Sequence, residues 1–145
     1  MFFFTRNEWE DSDRESVRAF LSLYDTALPK VTRFACPDPS DAERIPSLRV
    51  LIESRVELAG VRQTLQSISS PKGKTFRKAK KAFELLLRSC DYASDWATKL
   101  ALDPTRRGAF AGMIFHLSAV TELLKDFPQQ IAKLRGHMAG ADSNS

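Results

Sequence analysis

Apolar or small side chains recur in steps of three and four at Phe76, Ala79, Phe83, Leu86, Cys90, Ala93, Ala97 and Leu100. That spacing holds them in one stripe along an α-helix. A second run repeats it at Met113, Leu117, Val120, Leu124, Phe127, Ile131, Leu134 and Met138. Between the runs, Asp103-Pro104 sets a capping side chain ahead of a proline, so one helix is predicted to end there and the next to begin. Seams this long are stable in water only when another helix covers them. The chain is therefore predicted to be all-α, built of packed antiparallel helices.

Two earlier segments complete the set. Ser12 or Asp13 can cap a first helix whose inner face reads Val17, Phe20, Leu21, Tyr24, Leu28 and Val31, with Pro29 expected to kink it or end it early. After the break at Ala35-Cys-Pro-Asp-Pro-Ser40, a second helix is predicted from Ser40 or Asp41 to about Ser69, with Pro46 near its true start. The third helix begins at Ser70-Pro71 or, because of Gly73, as late as Thr75. The fourth is expected to start after Asp103, kink at Pro128 and end near Met138. Short connections between four such helices predict an up-down-up-down four-helix bundle. Residues 1–138 are read as one domain with a short irregular N-terminal lead, and residues 139–145 as a disordered tail.

Composition sets further bounds. With 145 residues, 43% apolar and 28% charged, the chain suits one hydrophobic core and contains no apolar run long enough to cross a membrane. Met1-Phe-Phe-Phe4 is too short for a signal peptide, and acidic residues follow it. The expectation is a cytoplasmic protein with no membrane partner. Of the two cysteines, Cys90 falls on a core seam and Cys36 in a loop, which favours neither a disulfide framework nor a nucleophile.

Charge is distributed unevenly. Residues 1–60 carry eight basic and eleven acidic side chains, and residues 61–145 carry fourteen and seven. The densest stretch is Lys72-Gly-Lys-Thr-Phe-Arg-Lys-Ala-Lys-Lys81, with six cations in ten residues and no acid. At about 100° per residue, Lys74, Arg77, Lys78, Lys81 and Arg88 point away from the Phe76 seam. Such a face is commonly a solvated surface, yet cations in the first turns of a helix oppose its dipole and call for another reason. Leu85, Tyr92 and Trp96 fall on the same outer side. Lys72, Lys74, Arg77, Lys78, Lys81 and Arg88 are thus candidate polyanion contacts, and Leu85, Tyr92 and Trp96 candidate stacking or protein-interface residues. Asp91 and Asp95 beside the rings would repel phosphate.

On the second helix, Leu51, Leu58 and Leu65 keep a seven-residue period, and Leu48, Arg55 and Arg62 take the companion positions. In that register Arg55 and Arg62 line the interior, either as a buried anion site or as ion-paired seam-edge residues whose heads reach water. Asp25, Glu122 and Asp126 are candidate partners.

No enzyme chemistry is indicated. His116 and His137 have no helical metal-ligand partner, Lys72-Gly-Lys-Thr75 lacks the earlier glycine and strand of a P-loop, and there is no nucleophile elbow. No cofactor is expected. His116 reads as a packed histidine, and Arg106 with Arg107, only two charges at a helix start, as surface residues in preference to an anion site.

Three functions follow from these residues. The first is a non-catalytic binding subunit, of the small ribonucleoprotein kind, docking single-stranded RNA or DNA on the basic face. The second is a homo-oligomeric helical adaptor using Leu85, Tyr92 and Trp96, with the lysines only solubilising it. The third is an anion or small-ligand binder built on Arg55 and Arg62. An acidic protein would satisfy the same cations, because Coulomb attraction does not separate carboxylate from phosphate.

Overall fold

The structure, a computed structural model, describes residues 11–143; the predicted N-terminal lead, with its phenylalanines, lies outside the described residues. Four helices follow in order: α1 (Asp11–Thr32), α2 (Leu48–Ser67), α3 (Lys74–Leu102) and α4 (Ala109–Ser143), with a 3₁₀ turn at Ala42–Arg44 between α1 and α2. No strand occurs among the described residues.

Side-chain pairs give the topology. Phe83 meets Phe127, Tyr92 meets His116 and Trp96 meets Gly112, so residue numbers rise on α3 as they fall on α4. The same reversal relates α1 to α2 through Lys30 with Glu57 and Arg33 with Ser54, and α2 to α3 through Leu51 with Ser94 and Arg55 with Asp91. Phe20 packs on Phe76 and Phe83, and Tyr24 on Phe83, so α1 and α3 run parallel across the diagonal. The result is an up-down-up-down bundle, with α2 and α4 at opposite corners.

Both long seams form the core as expected. Phe76, Ala79, Phe83, Leu86, Cys90, Ala93 and Ala97 are fully buried, and Leu100 is half-buried. On α4, all the seam residues are buried except Leu124, which is partly exposed. A ring cluster of Phe20, Tyr24, Phe76, Phe83 and Phe127, edge-to-face except for the tilted Phe83–Phe127 pair, joins α1, α3 and α4, with centroids 5.0–6.1 Å apart. Such pairs add stability beyond the area they bury.

The helix boundaries follow the sequence reading in part: α2 starts next to Pro46 and α4 continues through Pro128 as expected, and other ends differ. Helix α1 continues past Pro29 to Thr32, and α4 runs through Pro128. Both prolines are exposed, so the carbonyls they leave unpaired lie at the surface, while buried neighbours hold each helix to the core. Helix α2 begins after Pro46, where Ser47 accepts the Val50 amide at 3.2 Å. The start at Ser40 or Asp41 survives only as the 3₁₀ turn. Asp103 does not open α4. Its carboxylate accepts from the Thr105 amide and hydroxyl at 3.1 and 2.7 Å, closing a turn, and α4 starts at Ala109 after Gly108, whose φ is +80°. Arg106 and Arg107 consequently lie in that turn. Helix α4 also covers residues 139–143, most of the stretch read as a tail.

Candidate functional site

Helix α3 begins without a side-chain cap: its N-cap is Gly73 at φ +125°, and its first turn contains no acid. Neither a side-chain cap nor an acid in the first turn compensates the positive end of the dipole. Lys74, Arg77, Lys78, Lys81 and Arg88 are all exposed and make no ion pair among the described residues. They extend along about 21 Å of helix axis at ~1.5 Å per residue. Lys72 lies in the turn just ahead of them.

Lys80, inside the same basic run, has a different task. Its ammonium donates to the Ile68 carbonyl at 3.1 Å and to Ser70 Oγ at 3.0 Å, tying α3 to the C-terminal end of α2. One of the six cations in the run is thus structural.

The carboxylates expected to repel phosphate are largely engaged. Asp91 Oδ1 accepts from Arg55 Nε at 3.1 Å, and its other oxygen lies 3.5 Å from Arg62. Asp95 lies 3.7 Å from Arg55 and 3.0 Å from Lys99. Glu122 pairs with Lys125 at 3.0 Å on α4. Glu84, exposed on α3 between Lys81 and Arg88, makes no ion pair among the described residues.

Of the two arrangements open to Arg55 and Arg62, the structure has the second, ion-paired seam-edge residues whose heads reach water. Their side chains are 43% and 41% exposed at the α2/α3 edge. The leucines Leu51, Leu58 and Leu65 take the core, leaving the companion positions at the rim, and the partners come from α3. Asp25 pairs instead with Arg135 at 2.7 Å. Beside Arg62, the cleft it lines with Leu65, Gln66, Glu84, Leu87 and Arg88 has a volume of about 60 Å³, far below the roughly 300–1,000 Å³ of a ligand pocket.

The aromatic residues are also rearranged. Trp96 is not an outward platform: its indole lies against Gly112 of α4, and the Lys99 ammonium sits 4.4 Å from its ring centroid. Its direction on α3, taken from the sequence as outward, is where α4 packs. Leu85 and Tyr92 do remain exposed, at 45% and 48%. Tyr92 packs on His116, with centroids 5.1 Å apart, and His116 meets the Phe115 ring at the same distance. Burial holds the His116 imidazole below its ordinary pKa, favouring the neutral ring. Phe115, 69% exposed, is a functional candidate that sequence reasoning missed. A large apolar side chain opposite the α4 seam was the signal available.

Among the described residues, no group of three or more His, Cys, Asp or Glu side chains is placed to hold a metal, and no helix is long and apolar enough to cross a membrane. Both thiols are buried, and burial pushes each of them above the ordinary cysteine pKa, the reverse of what a nucleophile requires. No family model, curated protein or solved structure matches the chain.

Proposed function

We propose that this chain is a binding subunit that docks nucleic-acid phosphates on the outer face of α3. The observation that carries the reading is the state of Lys74, Arg77, Lys78, Lys81 and Arg88: five exposed cations with no ion pair among the described residues, on a helix whose N-terminus has no side-chain cap. Their concentration works against the α3 dipole, at roughly 0.3–1 kcal/mol for each charge in the first turn. A phosphate backbone relieves both features, because it neutralises the side chains and accepts from the free amides. Engagement of Asp91 and Asp95 by Arg55, Arg62 and Lys99 lowers the opposing field.

Charge reversal separates this function from the fold. Lys74→Glu with Lys78→Glu and Lys81→Glu should abolish binding to a fluorescently labelled RNA strand in an anisotropy titration. The same variant should melt at or above the parent temperature, since acids suit the start of a helix. Binding that survives the triple reversal would eliminate the basic face as the site.

A further inference from the structure

We infer that the face selects single-stranded over duplex nucleic acid, with bases stacking on Phe115 and Tyr92 while the phosphates follow the α3 cations; this rests on the phosphate-docking reading above. Arg88 stands one turn before Tyr92 on α3, about 6 Å along the axis. Lys81, Leu85, Arg88 and Tyr92 thus form a continuous row from cations to ring. Across the α3/α4 groove, His116 bridges Tyr92 to Phe115 through two ring contacts of 5.1 Å. Three rings from two helices are therefore contiguous, and the outer two are about half or more exposed.

Core packing does not account for that exposure. The α4 seam is already filled by Met113, Leu117 and Val120, and Phe115 lies outside it. Charge complementarity chooses the occupant: an apolar ring surface continuous with cations that make no ion pair among the described residues suits a polymer that carries both anions and flat apolar faces. A single strand has its bases free to stack, whereas a duplex keeps them paired inside and offers the rings only its backbone. Glu122, the α4 carboxylate one turn and a half beyond His116, is held by Lys125 and adds little repulsion.

The test is anisotropy with short RNA and DNA strands and a duplex of equal length, using the parent chain, Phe115→Ala, Phe115→Trp and Tyr92→Ala. The parent should bind either single strand about tenfold or more tightly than the duplex. Each alanine variant should lose roughly fivefold or more on the single strands alone, and Phe115→Trp should retain parental affinity. Phe115 is exposed enough that its removal should leave the melting temperature unchanged. Equal affinity for strand and duplex, both lost on lysine reversal, would overturn the stacking inference and leave phosphate docking in place. An alanine variant that dissociates a dimer in sedimentation without losing RNA affinity would assign the rings to contact between copies and also overturn it. No binding to either form would remove both readings.

Discussion

Gly112 offers a sharp test of how α3 and α4 meet. A methyl group built on it would lie 2.7 and 2.8 Å from two ring carbons of Trp96 and 3.0 Å from the indole nitrogen. Ordinary carbon contacts are roughly 3.5–4.0 Å, so the methyl overlaps the ring by nearly 1 Å. Relief requires the Trp96 indole to shift from Gly112 and from its contact with the Lys99 ammonium. Gly112→Ala gains about 1 kcal/mol of helix propensity and loses roughly 1–3 kcal/mol to overpacking. The net expectation is a loss of about 0–2 kcal/mol. Gly60→Ala is the control: nothing lies within 4 Å of its added methyl, so the propensity gain should appear almost whole. At this chain length 1 kcal/mol corresponds to roughly 2–4 °C in melting temperature. Thermal melts should therefore place Gly60→Ala above the parent and Gly112→Ala at or below it, with a changed Trp96 emission. Equal stabilisation by both substitutions would refute the close α3/α4 packing.

Phe83→Ala removes the ring that touches Phe20, Tyr24 and Phe127, and should cost about 3–5 kcal/mol in urea unfolding; a loss below about 1 kcal/mol would mean the ring cluster is not the core. Asp91→Asn with Asp95→Asn frees Arg55, Arg62 and Lys99, so RNA affinity should rise severalfold while stability changes by less than about 1 kcal/mol, as expected for half-exposed pairs. His116 has a lowered pKa in the fold, so its stabilising contribution is present above 6.5, where the unfolded chain is also neutral, and is lost as pH falls below that value. His116→Gln should flatten that part of the stability–pH curve, and an NMR titration should place the His116 midpoint below 6.5; a midpoint above it would contradict the burial.

The seams were legible because period and burial report the same physics: Phe76 to Ala97 and Met113 to Met138 repeat often enough to average out single exceptions. Single directions on a helix are weaker information. Trp96 lies on the edge between the seam and the outer face, and only the position of α4 turns that edge into a contact with Gly112. Arg55 and Arg62 share a heptad with core leucines, but α2 contacts only α1 and α3, which leaves its companion positions at the rim beside Asp91. Helix ends depended on local hydrogen bonds. Asp103 was read correctly as a capping type, but it caps a turn at Thr105 rather than α4. Phe115 is not legible from the basic helix alone, because the ring surface is made across α3 and α4.

The salt dependence of RNA binding tests the proposed phosphate docking most directly. If all five α3 cations neutralise phosphates on a single strand, the slope of log affinity against log salt should be about −3.5, from roughly 0.7 counterions released per contact. The Lys74, Lys78 and Lys81 reversal should abolish binding and with it the slope. A parental slope near zero, or one that the reversal leaves unchanged, would show that α3 does not hold the phosphates.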